Sequence, residues 1–157
     1  MPLSAPAPRQ LLHNRLVQCW GYRREDGLWD IEGRMVDTKT YPFPNEDRGG
    51  AIQAGEPLHD MWIRLTVDPQ FRIHDVEART DGSPFGLCPA ITSRYRQLIG
   101  VRIGPGWSLK LKELFAGVDG CTNCWVRWRP PCFRRCMANA TTRTTPNRRR
   151  SVRRRPC

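Results

Sequence analysis

The charge of this chain changes character at Cys121. Residues 1 to 121 hold 15 Lys and Arg against 15 Asp and Glu, whereas the 36 residues that follow hold eleven arginines and no Asp, Glu, Lys, Leu or Ile. The formal net charge of +11 therefore belongs wholly to the last stretch. A segment without Leu or Ile has too little apolar surface to build a core, so the folded part of the molecule must be sought before it. The electrically balanced body is long enough for one small core, which at such sizes buries roughly two-thirds of the surface of the unfolded chain. The expected organisation is a loose leader over residues 1–14, a single domain over 15–122, and a disordered tail rich in Arg, Pro and Cys over 123–157.

No run of about 18 apolar residues occurs, and Met1 to Pro8 lack the basic-then-apolar layout of a signal peptide, so a cytoplasmic protein without a membrane partner is expected. In a reducing compartment Cys19, Cys88 and Cys121 read as buried thiols, ligands or nucleophiles rather than as a disulfide frame.

The pattern along the body is that of a β-meander. Strand formers run from Arg15 to Arg24, Glu25-Asp26-Gly27 makes a turn, and a second strand follows from Leu28 to Tyr41. Along it Trp29, Ile31 and Met35 share one face, with Asp30, Glu32 and Arg34 on the other, which predicts a half-buried antiparallel hairpin. Prolines and glycines over 42–57 predict a long loop. Met61, Ile63, Leu65 and Val67 then alternate with Trp62, Arg64, Thr66 and Asp68, giving a third strand that ends at the turn Asp68-Pro69-Gln70. A fourth runs from Phe71 to Thr80.

The period changes after Pro84. Ile91, Tyr95, Leu98 and Ile99 are spaced i, i+4, i+7, i+8, and Trp107, Leu111, Leu114 and Phe115 repeat that spacing, which predicts two short amphipathic helices. Gly100 and Gly117 fall at their C-terminal stops, and Ser108 is placed to cap the second. A third helix is expected after Gly120. The predicted class is α+β: a four-stranded antiparallel meander followed by two to three short helices packed on one face.

The candidate site residues are His59, Asp60, Asp75, Glu77, Cys88 and Cys121. Strand alternation puts Phe71, Ile73, Asp75 and Glu77 on one face, so two carboxylates follow directly after core residues. Such a setting calls for a partner or raises the pKa; the alternative is that the strand end emerges into solvent or that Arg64 or Arg79 pairs with the carboxylates. Antiparallel pairing through the turn at Asp68 would bring His59 and Asp60 near Glu77 and Arg79, a group suited to acid–base chemistry. Cys88 precedes Pro89 at the mouth of the first helix, where the helix dipole favours a thiolate, and Cys121 holds the same position before the third. The glycines of Gly104-Pro105-Gly106 lack a following Lys-Ser/Thr and do not make a phosphate loop.

Two readings of the tail compete with a third. As a nucleic-acid arm, Arg148, Arg149, Arg150, Arg153, Arg154 and Arg155 would neutralise phosphates while Trp125, Trp128 and Phe133 stack on bases. As a zinc site, Cys121, Cys124, Cys132 and Cys136 have a middle gap too short for a ribbon, stiffened by Pro130-Pro131, and metal binding is not expected. The favoured reading is a frameshift product. Arg, Pro, Cys and Trp are what GC-rich codons yield out of frame, and a one-base shift with permitted codons turns Cys124 to Pro130 into Leu-Leu-Gly-Ala-Leu-Ala-Pro, an apolar helix where the core lacks one.

The stretches Gly21-Tyr22-Arg23-Arg24, Asp37-Thr38-Lys39, Gly55-Glu56-Pro57-Leu58-His59-Asp60-Met61-Trp62, Ile73-His74-Asp75-Val76-Glu77-Ala78, Cys88-Pro89-Ala90-Ile91-Thr92 and Gly120-Cys121-Thr122 together resemble the bacterial family known as domain of unknown function 2889. The resemblance covers about residues 9 to 122. It implies a continuation past Thr122 with His-Leu and a Leu-Leu-Gly helix, where this chain has Asn123-Cys124. It implies no activity.

The expected function is small-molecule metabolite handling, by acyl transfer or hydrolysis. The alternatives are a binding or scaffold protein with a thiol or metal site, and nucleic-acid binding through the tail. No cofactor is specified, and the expected partner is a small molecule of unknown identity.

Overall fold

Alternation of apolar and polar residues governs the centre of the molecule. In a computed structural model, which describes residues 3–86 and 92–115, the sheet is built from β1 (His13–Arg23), β2 (Trp29–Lys39), β5 (Pro57–Val67) and β6 (Ile73–Gly82), all antiparallel in the order β1-β2-β5-β6. A small second sheet pairs β3 (Phe43–Asn45) with β4 (Gly50–Ile52) around a 3-10 turn, Glu46–Arg48. The described fold is largely β, with few and short helical segments: a 3-10 stretch over Thr92–Leu98 and one α-helix, α1 (Trp107–Phe115).

The β1–β2 hairpin closes at Gly27, whose φ of 84° suits a residue without a Cβ, while Asp26 Oδ1 accepts a hydrogen bond from the Leu28 N–H. This turn sets a register in which Arg23 faces Trp29 and His13 faces Lys39. On the inner face Trp29, Ile31 and Met35 of β2 meet Met61, Ile63, Leu65 and Val67 of β5 and Ile73 and Val76 of β6. Tyr95, Leu98, Ile103, Trp107, Leu111 and Phe115 close over them. Phe115 is 1% exposed, and a fully buried side chain of this size contributes about 1.5–3 kcal/mol through water exclusion.

Four details depart from expectation. The segment over 42–57 is not bare loop but folds into the β3–β4 hairpin, with Arg48 reaching the Pro57 carbonyl at 2.8 Å and pairing with Glu56. The first helical segment is 3-10 rather than α. Tyr95 and Leu98 are its buried residues, a spacing of three that a 3-10 turn places on one side, and Ile99 is left 44% exposed. Helix α1 begins at Trp107 with Lys110 N–H bonded to the Gly106 carbonyl, so Gly106 holds the cap position and Ser108 lies inside the helix. The expected third helix lies outside the described residues.

The fourth departure concerns β6. Thr66 faces Asp75 while Val67 faces Ile73, so His74 is an extra residue on one strand. This bulge inverts the alternation beyond it: Ile73 and Val76 point inward, and Asp75 and Glu77 are exposed. Phe71, expected in the strand, sits before it with φ at 64°.

Candidate functional site

The inner face of β2 runs Trp29, Ile31, Gly33, Met35 and then Asp37, and all five are buried. A carboxylate thus continues an apolar row at 0% exposure. Register supplies its partners. Arg15 of β1 lies directly opposite Asp37 on one side and His59 of β5 on the other, so the three side chains form a cross-strand row at one end of the core. The Arg15 guanidinium grips both carboxylate oxygens, Nε to Oδ1 and Nη2 to Oδ2. His59 Nδ1 lies 3.0 Å from Oδ2, and His13 Nε2 lies 3.5 Å from Oδ1.

The electrostatics follow from this geometry. Burial alone would push the Asp37 carboxyl up, but the Arg15 hydrogen bonds and charge, with smaller help from His59 and His13, outweigh it and hold the group below the ordinary carboxylate range. His59 moves the other way relative to its charged form: burial lowers its pKa, and the attraction of Asp37 only partly offsets this. Asp37 is therefore ionised and accepts, so Nδ1 of a neutral His59 donates and Nε2 is its unprotonated nitrogen. A carboxylate that fixes the tautomer of a buried imidazole is the arrangement used to prepare a general base.

Of the six residues singled out from sequence, only His59 belongs to this cluster. Asp60, its neighbour, points to the opposite face of the sheet, where Arg34 holds it bidentately at 2.9 and 2.7 Å. Asp75 and Glu77 do not follow the core residues inward, because the bulge at His74 turns them to solvent. Glu77 accepts from Arg64 Nη1 at 2.8 Å, and Arg64 also bonds Glu32. The expected meeting of His59 and Asp60 with Glu77 and Arg79 does not form: Asp60 lies opposite Gly82, and Glu77 opposite Arg64. Cys88, Cys121, the four cysteines of the zinc reading and the arginines Arg148 to Arg155 lie outside the described residues.

Sequence reasoning missed Asp37, Arg15 and His13. The signal for Asp37 was present in the parity of β2, since it continues the series of Trp29, Ile31 and Met35. Arg15 then followed from the hairpin register through the Gly27 turn.

The outer face of the sheet is a second surface. Trp20 and Trp62 stack with centroids 6.1 Å apart, and the Arg34 guanidinium lies 4.8 Å from the Trp62 ring centroid. A groove of about 330 Å³ borders Trp62, lined also by Glu32, Arg64, Glu77, Arg79 and Asp81. Among the described residues no group of three or more His, Cys, Asp and Glu side chains is arranged to hold a metal ion, and no helix is long and apolar enough to cross a membrane.

No curated protein and no solved structure matches this chain. A family match spans the whole of the main sheet, the Arg15–Asp37–His59 row and helix α1: residues 13–124 match the family described as protein of unknown function (DUF2889), and the chain belongs to that family.

Proposed function

We propose that the protein is a small-molecule enzyme of hydrolytic or acyl-transfer type in which His59 is the general base. The observation that carries this reading is the 3.0 Å contact between His59 Nδ1 and a carboxylate that is itself completely buried and gripped by Arg15. In the reaction, His59 Nε2 takes the proton of an attacking water or hydroxyl as its oxygen bonds to the acyl carbon. The same proton then passes to the leaving group as the acyl bond breaks. Asp37 stays ionised throughout and balances the imidazolium formed between the two transfers. In this reading the class is α+β, with the helical segments after β6 closing the core face over the strands.

The test is turnover of a panel of p-nitrophenyl esters and acyl thioesters by the full chain. His59→Gln should lower kcat by about 10²–10⁴-fold, the range that positioned acid–base groups contribute. Asp37→Asn should lower it less if it folds, because the imidazole remains but its tautomer and charge compensation are lost. A His59→Gln protein that turns over the panel as well as the parent sinks the reading.

A further inference from the structure

Arg15 has more donors than Asp37 uses. Its side chain is 16% exposed; Nε and Nη2 are bonded to the carboxylate, while Nη1 is buried and, among the described residues, has no hydrogen-bond partner. Buried guanidinium N–H groups are seldom left unmade, because the lost hydration of a cationic donor is not returned, and such a group in a native structure calls for an explanation. The nitrogen also stands beside the proposed base: Asp37 Oδ2 is bonded by Arg15 Nη2 and lies 3.0 Å from His59 Nδ1, so one oxygen joins the two groups. Arg15 lies on the edge strand β1, where His13 and Val17, two residues to either side, are exposed, so a ligand reaching Nη1 from that edge must displace the side chains that cover it.

We infer that Arg15 Nη1 is the recognition group for a carboxylate on the substrate, so that the acyl compound proposed above is an acidic metabolite held next to His59. The inference rests on the hydrolytic reading of the same site. Arg15 and Asp37 cancel, so every negative charge a ligand brings is added to a neutral pair beside the buried Asp37 carboxylate; a monocarboxylate adds one such charge and a phosphate dianion two, which favours the monocarboxylate. A neutral carbonyl would satisfy the donor but would not draw on the guanidinium charge.

The experiment is titration of the full chain with acetate, and in parallel with inorganic phosphate, read from the side-chain nitrogen resonances of Arg15 and His59. Saturable acetate shifts at both side chains are expected, with phosphate the weaker ligand. Arg15→Lys, which retains a cation for Asp37 but not the forked donor, should bind acetate at least about tenfold more weakly. The inference is overturned by wild-type protein that shows no saturable shift at Arg15, by phosphate binding more tightly than acetate, or by unchanged acetate affinity in Arg15→Lys. Should that variant fail to fold, the wild-type titration decides alone. Acetate bound at Arg15 with no ester or thioester turned over removes the hydrolytic reading and keeps the carboxylate site; turnover lost in His59→Gln but untouched by Arg15→Lys does the reverse.

Discussion

Asp37 and His59 face one another across β2 and β5 on the buried side of the sheet, with Nδ1 3.0 Å from Oδ2, and Arg15 completes the row from β1. Three polar groups at the end of an apolar face are linked through the Asp37 carboxylate, which both Arg15 and His59 contact. That arrangement makes each member dependent on the others.

Removing one member should therefore cost more than removing two. Asp37→Leu leaves a largely buried guanidinium without its counter-ion, and Arg15→Met leaves a buried carboxylate; each should destabilise by about 3–5 kcal/mol. The double variant replaces the pair with apolar volume and should recover most of that loss. Urea denaturation of the two single variants and the double variant measures the coupling, and additive losses would show that the pair does not act as a unit.

The outward carboxylates should behave in the opposite way. Glu77 is 67% exposed at its side chain and its partner Arg64 is 46% exposed, so their ion pair is screened by water. Asp75→Asn and Glu77→Gln should each change stability by no more than about 0.5 kcal/mol and leave any turnover of the ester panel intact. Loss of activity in either variant would return these residues to the site.

Sequence legibility was uneven for physical reasons. The four strands and the hairpin turn were readable because alternation from Trp29 to Met35 and from Met61 to Val67 is a direct imprint of one buried face. The strand of His59 was legible, but its buried partner was not, because β5 has a neighbour on each side. Pairing through Asp68 pointed to Glu77, whereas the buried face of β5 meets β2, and there the partner is Asp37. The inversion at His74 was hidden because a bulge adds one residue without changing composition, and parity read from sequence carries straight through it. The 3-10 character of Thr92–Leu98 was hidden likewise, since Tyr95 and Leu98 satisfy both a 3.0 and a 3.6 period.

The turn that creates the bulge is held by one side chain. Asp68 Oδ1 accepts from the Gln70 and Arg72 N–H groups, each at 2.9 Å, and its Oδ2 lies 3.0 Å from His74 Nε2. These bonds stabilise a turn in which Phe71 adopts a φ of 64°, an uncommon value for an aromatic residue. Asp68→Ala should cost about 1–3 kcal/mol through the unmade backbone bonds, and amide exchange should quicken at Gln70 and Arg72 before it does in β2. Uniform quickening across the sheet would mean that the turn is not a local unit.

The pH dependence of stability should separate His59 from Asp37. Burial favours the neutral imidazole in the folded protein, whereas in the unfolded chain His59 takes up its proton near 6.5. As pH falls below that value the unfolded state binds more protons than the native one, so stability declines towards the lowered native pKa. Asp37 adds a second loss in the same direction. Burial would raise its pKa, but Arg15 and the two histidines hold it below the model-compound 3.8, so the unfolded carboxyl protonates first and further stability disappears as pH falls through the native value. His59→Gln should abolish the decline that sets in below about pH 6.5 and keep the one below about pH 4, as read from urea midpoints across that range. A wild-type protein that becomes more stable between about pH 7 and 5 would contradict a neutral, buried His59 and with it the base on which the proposed chemistry depends.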